Sequence, residues 1–402
     1  MFMRGVLALA LVCGFTASAG AADKLKIGVL TTLSGPSGFN GTQTRDAMQL
    51  AVEHLGGKIG DLPVELLFED DQQKPDAGVQ IVNKFLRSDK VDLIVGATFS
   101  NITIAAYVPA VKAETVFISS IAGPSQIAGK GCSPYFFNTS WQGDNFAEAM
   151  GAYLDKEGKQ NVYLMAPNYA AGHDVLTGFK RYFKGKIADE VYTPLDQLDF
   201  TPNLTQIRGA DPGAIFAFEP SGLGIQFLKQ FAESGLKDKY PLYTAYTVDN
   251  ATLAGAGDTA LGMITASLWN SELDNAANKR FVADFTKAYG NIPGFYAAGL
   301  YVNGQVVEAG LMKTGGDASN KEALIAALRG VSLTDTPRGP ISFDDHGNVI
   351  GNIYIRRIEK QNGKLANKTI KTYEMVSQFW SYDPKWFLEQ PVYSRDYPPL
   401  KA

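Results

Sequence analysis

Two doubly wound α/β lobes are the fold class that this sequence predicts. Three observations carry the expectation: short apolar runs alternate with amphipathic stretches, the alternation restarts near Trp141, and 402 residues exceed what one core usually serves. A glycine-rich loop, Leu33-Ser34-Gly35-Pro36-Ser37-Gly38-Phe39-Asn40-Gly41, follows the first strand. In open α/β sheets that position borders small-molecule sites.

The chain opens on a segment that reads as an export signal. Met1-Phe2-Met3-Arg4 is a short basic start, residues 6–12 are an apolar core, and Ser18-Ala19-Gly20-Ala21-Ala22 offers small residues for cleavage after Ala21 or Ala22. Its apolar stretch is too short for a stable membrane span. Cys13 lies inside that core behind Leu11-Val12, which argues against a lipoprotein site and for a free, soluble exported chain. Residues 1–22 contain Arg4 and no acidic residue, so their removal shifts the formal charge from -4 to about -5. That balance argues against a nucleic-acid partner. No later stretch is apolar for long enough to cross a membrane. Cys132 is then the remaining cysteine and makes no internal bridge; its Gly131-Cys132-Ser133-Pro134 turn reads as a loop thiol.

In the first series a strand at 25–32 precedes a helix at 42–55, 64–68 precedes 77–86, 93–96 precedes 102–111, and 116–118 closes the set. Apolar strands joined by amphipathic crossovers predict a parallel sheet covered on both faces. The second series runs helix 145–154, strand 162–165, helix 175–182, strand 191–192, helix 204–208, strand 214–218, helix 223–232 and strand 242–243. Beyond 263 come a strand at 264–268, helices at 276–289, 299–312 and 321–328, and antiparallel strands at 349–359 and 372–382. Pro337-Arg338-Gly339-Pro340 and Asp344-Asp345-His346-Gly347-Asn348 mark turns. The second lacks the spacing and distal glutamate of a calcium loop.

Catalytic constellations have few residues to stand on. His54, His173 and His346 lie far apart, with no His-Glu-x-x-His or paired cysteines to hold a metal. Ser119-Ser120 have no Gly-x-Ser-x-Gly elbow. Gly35, Gly38 and Gly41 lack both the lysine of a phosphate loop and the spacing of a dinucleotide loop. The expectation is a binding protein, neither an enzyme nor a cofactor carrier. Polar loop ends do recur after strands: Phe99-Ser100-Asn101, the segment 118–125, and Tyr169. Ser100, Ser119 and amides near Gly123 can direct donors at an anion. Serine and glycine at such places also cap helices routinely.

Residues 26–38, the 96–100 loop, segment 118–127, Tyr169-Ala170-Ala171-Gly172, and Asp199-Phe200 with 204–207 resemble, in order and spacing, the periplasmic substrate-binding proteins of branched-chain amino acid ABC transporters. The resemblance spans essentially the whole chain after the signal. It implies the type I periplasmic binding fold: two lobes, a hinge of three crossovers, and a ligand trapped as the lobes close. Here the crossovers are expected near 138–142, 268–271 and 344–347. Lobe one is then 23–140 with 270–345, and lobe two 141–269 with 346–402. The implied partners are a small organic acid and an inner-membrane permease and ATPase, with the chain acting as a monomer.

The resemblance also implies a pocket. Ser100 matches the family's carboxylate-binding serine, and Ser119, Ile121 and Gly123 occupy its second carboxylate loop, where Gly123 replaces a threonine and leaves an amide donor. Tyr169 matches a pocket tyrosine, and Asn40 stands beside Phe39 at a position that is often aromatic. Tyr246 falls where an acidic residue commonly receives a ligand ammonium. A tyrosine supplies no formal negative charge, and an unpaired buried cation costs several kcal/mol. With Phe39, Phe99, Tyr169, Phe295 and Tyr301, Tyr246 suits a flat aromatic carboxylate of the benzoate or phenylpropanoid type. In another register Asp249 or Glu219 restores an amino-acid site, and the alternatives are a branched-chain or other amino acid carrier and a periplasmic sensory protein.

Overall fold

The computed structural model describes residues 24–129, 131–140 and 142–390. The expected signal peptide and its cleavage point lie outside them. Strand β1 (Leu25–Thr31) leads through the glycine-rich loop into α1 (Gly38–His54). A short hairpin, β2 (Lys58–Ile59) and β3 (Leu62–Asp70), is followed by α2 (Pro75–Lys84), β4 (Leu93–Gly96), α3 (Ser100–Lys112), β5 (Val116–Ser119) and β6 (Phe136–Asn138). The sheet order is β2-β3-β1-β4-β5-β6. β3, β1, β4, β5 and β6 run parallel, and their crossover helices explain the fully buried residues of β4 and β5.

The second lobe repeats this plan. It comprises α4 (Asn145–Lys156), β7 (Val162–Pro167), α5 (Ala170–Tyr182), β8 (Ile187–Thr193), α6 (Thr201–Ala210), β9 (Ala214–Ala217), α7 (Ser221–Glu233), β10 (Leu242–Ala245), α8 (Asn250–Ala256) and β11 (Ile264–Ser267). β8, β7, β9, β10 and β11 are parallel neighbours in that order. Both sheets therefore reverse their winding beside the first strand of the lobe, which opens a crevice at the carboxyl ends of the strands.

Three helices, α9 (Ala276–Tyr289), α10 (Phe295–Lys313) and α11 (Lys321–Arg329), return to the first lobe. α10 lies directly on α1: a Cβ added to Gly304 would come within 2.7 Å of the Ala51 Cβ. Glu308 accepts a hydrogen bond from the Gly60 amide at 2.6 Å. The chain then rejoins the second sheet through β12 (Ser332–Leu333), β13 (Ile341–Phe343), β14 (Val349–Gln361) and β15 (Lys364–Val376), all antiparallel, and ends in α12 (Pro384–Glu389).

Two expectations are corrected here. The third crossover does not fall at 344–347, and residues 332–343 do not stay with the first lobe, because β12 and β13 already pair in the second sheet and 344–348 is the tight turn of the β13–β14 hairpin. The last strand is 364–376, not 372–382. An Asn362-Gly363 turn with both residues at positive φ sets that hairpin, a strong local signal of the two-residue type.

Candidate functional site

The crevice holds a small cavity between the lobes. Its first-lobe wall is Thr98, Phe99 and Ser100 after β4, with Ile121 and Ala122 after β5. Tyr169 and Ala171 after β7, Phe218 and Pro220 after β9, and Tyr246 after β10 form the second-lobe wall. Tyr296 of α10 and Gly143 of the first crossover complete it. Strand ends of both lobes thus supply the lining, as the winding reversal requires.

The lobes meet around this cavity. Asn40 at the start of α1 donates to the Ser221 hydroxyl at the start of α7 at 2.5 Å. Phe99 and Tyr169 face each other with ring centroids 6.3 Å apart. The Ser125 amide donates to Asp174 at 3.2 Å, and the Ser125 hydroxyl donates to the same carboxylate. Tyr246 and Ser221 both hold positive φ, 60° and 58°, a backbone region that a bulky or β-substituted residue enters only when its surroundings impose it. For Tyr246 those surroundings are Phe146, Phe218 and Phe295, with ring centroids at 4.6, 5.6 and 5.9 Å.

The described lining residues carry no ionised side chain. Burial raises the Tyr169, Tyr246 and Tyr296 phenols above their ordinary value, so they stay protonated donors. The 13-residue helices α3, α5 and α7 start at the cavity, where first-turn amides have no intrahelical acceptor and the dipole favours an anion. Behind Gly143 lie Asp144, Glu148 and Asp174, with Arg181 bonded to Asp144 and, at 2.9 Å, to Glu148. Burial, then the neighbouring Asp144 charge, raises the carboxyls of Glu148 and Asp174. Aromatic faces, neutral hydroxyls and helix starts are what a flat organic anion requires.

Of the residues named from sequence, Phe99, Ser100, Ile121, Tyr169 and Tyr246 come together in the cavity wall. Asn40 makes the interlobe bond at its rim. Ser119 turns away and donates to the Ala122 carbonyl, and the Gly123 carbonyl accepts from the Gly143 amide at 2.6 Å. Both shape the loop that presents Ile121 and Ala122. Phe295 lies behind Tyr296, its ring centroid 4.1 Å away. Asp249 is consumed as a cap: it accepts from the Ala251 and Thr252 amides of α8 and from the Phe295 amide of α10 at 2.6 Å. Glu219 is fully buried beside the wall, with Thr193 as its side-chain donor at 3.2 Å.

Phe39 and Tyr301 are elsewhere. Phe39 is 37 % exposed on α1, because that helix starts at Gly38, earlier than the expected 42, and turns the ring outward. The Tyr301 hydroxyl meets His54 Nδ1 at 2.8 Å and its ring packs on Phe281 within the helical layer. Phe218 and Tyr296, missed from sequence, each adjoin a residue that was named. At a strand end neighbours face opposite ways, and on a helix they lie about 100° apart, so one residue of register decides which faces the ligand.

The model of the family described as periplasmic binding protein matches residues 24–364. The chain belongs to the periplasmic binding protein family. It is thereby a substrate-binding protein of the ABC-transporter class with the type I fold. Among curated relatives, a Leu/Ile/Val-binding protein homologue of Brucella melitensis is 28 % identical over 90 % of this chain and 95 % of its own length. A solute-binding protein of an ABC transporter from Rhodopseudomonas palustris, solved with 3,4-dihydroxybenzoic acid, is 34 % identical with a TM-score of 0.84, covering 88 % of this chain and 98 % of that one. A second R. palustris solute-binding protein, solved with benzoate, is 29 % identical with a TM-score of 0.81, over 86 % and 96 %.

Proposed function

We propose that this periplasmic protein captures a small aromatic carboxylate of the benzoate or phenylpropanoid type between its lobes and delivers it to an inner-membrane ABC permease and ATPase. The observation that carries the reading is a cavity walled by Phe99, Tyr169, Phe218, Tyr246 and Tyr296 with no ionised side chain among its described lining residues. An α-ammonium there would have no formal counter-charge, a cost of several kcal/mol. A carboxylate finds the Ser100 hydroxyl and the first-turn amides of α3, while its ring lies against aromatic faces. The R. palustris relatives solved with benzoate and 3,4-dihydroxybenzoic acid support the same class.

Capture needs no chemistry on the ligand, only a closed form that the bound acid favours. A thermal-shift panel of benzoate, 4-hydroxybenzoate, 4-coumarate, leucine and phenylalanine tests it, since a ligand that binds the folded chain raises the melting temperature. The aromatic acids are expected to stabilise and leucine is not. Stabilisation by leucine with none from the aromatic acids would overturn the reading in favour of an amino acid carrier, the class named in the Brucella relative.

A further inference from the structure

Two arginines are buried where the chain crosses between lobes, and they are not equivalent. Arg356 donates to the Trp269 carbonyl at 2.8 Å and the Val248 carbonyl at 3.0 Å, and the carboxylate of Asp249 offsets part of its charge. Arg338, 2 % exposed, donates to the carbonyls of Thr139 and Ser140 on the first crossover. Among the described residues no carboxylate faces it. Tyr354 is its neighbour in charge, and that hydroxyl donates to Arg338's own carbonyl at 2.7 Å. Two carbonyl dipoles do not neutralise a guanidinium cut off from water.

The unsatisfied groups converge on one space. Arg338 and Ser140 both line a small cavity next to the first crossover. Arg338 Nε and the Ser140 hydroxyl are buried without a hydrogen-bond partner. The remaining walls are apolar at Phe146, Val349, Ile353 and Val376, and Asn352 gives its amide to the Tyr354 hydroxyl at 3.3 Å. Asn145, also at the wall, gives its amide to Glu148 at 2.9 Å, and Glu148 in turn faces Arg181. One cation, two free donors and apolar walls define an anion site.

We propose that the cavity beside Arg338 binds a small monovalent anion of halide size, held by Arg338 Nε–H and the Ser140 hydroxyl. A single charge balances the guanidinium, and the small, largely apolar space suits a monatomic anion rather than a multivalent oxyanion. The site is separate from the interlobe cavity and independent of which organic acid that cavity takes.

Bromide is the probe. Crystals of the full chain grown in sodium bromide are expected to show an anomalous peak between Arg338 Nε and Ser140 Oγ. In solution, chloride is expected to raise the melting temperature by about 2 °C or more over gluconate at equal ionic strength, with saturation. Ser140→Ala should shift that saturation to higher chloride, and Arg338→Met should erase it. A bromide-free cavity, or coincident chloride and gluconate curves for the wild type, would overturn the proposal whether or not Arg338→Met folds.

Discussion

Ser100 and Glu219 show how two buried polar residues next to one cavity take opposite parts. Ser100 begins α3 in the cavity wall, where its hydroxyl and the helix start act together. Ser100→Ala should weaken aromatic-acid binding by about 1–3 kcal/mol, read as a roughly 5- to 150-fold rise in Kd by calorimetry. An unchanged Kd would remove Ser100 from the site. Glu219 is sealed at the end of β9, and burial pushes its carboxyl from an ordinary 4.5 up to about 8, with the Thr193 hydroxyl pulling modestly the other way. The folded chain therefore holds a proton there that the unfolded chain releases near its ordinary value. Its stabilising contribution is complete below the unfolded value and is lost as pH rises towards about 8. Glu219→Gln should leave the melting temperature near pH 4 almost unchanged and raise it relative to wild type at pH 8. Parallel pH profiles of the two proteins would show that Glu219 is not that titrating group. A carboxyl kept neutral in this way is no ready counter-ion for an ammonium, which agrees with an acid as ligand.

At the scale of elements, helix starts reach the cavity and one side chain ties two of them together. Asp249 caps α8 through the Ala251 and Thr252 amides and also receives the first amide of α10, so it joins a second-lobe helix to the helix that brings Tyr296 to the cavity. Asp249→Ala removes a cap and leaves the Phe295 amide unsatisfied; a loss of about 1–3 kcal/mol in urea denaturation is expected. A loss below the measurement error would mean that solvent replaces the carboxylate. Most elements were legible in sequence because short apolar runs and 3.6-residue periodicity are local properties: the helix at 276–289 agrees with α9 to the residue. Three-residue β6 was not, since Phe136 to Asn138 become a strand only by pairing with β5. The early start of α1 was also hidden, because glycines at 38 and 41 argue against a helix unless packing requires them. A Cβ at Gly41 would lie 1.9 Å from the Thr32 carbonyl oxygen, so close approach to the preceding loop explains that residue.

For the whole molecule, the proposed function turns on closure. The Asn40–Ser221 bond at the cavity rim and the Phe99–Tyr169 contact across it join loops of different sheets. A saturating aromatic acid should therefore lower the radius of gyration in small-angle scattering, and Asn40→Ala should weaken binding chiefly through faster release. Scattering curves that superimpose with and without ligand would exclude closure as the response. The sequence by itself determined the class of molecule: the alternation of strands and helices, the parallel sheets, and the ordered loop motifs that mark a periplasmic binding protein. Those features rest on local periodicity and on motif order, which a linear chain displays. Only the tertiary structure decided that Phe218 and Tyr296, rather than Glu219 and Phe295, meet the cavity, that Asp249 is spent on helix caps, that Tyr301 belongs to a helix interface, and that β12 and β13 join the second sheet. Each of these depends on which of two adjacent residues faces inward or on a partner in another element, and neither is set until both lobes have packed.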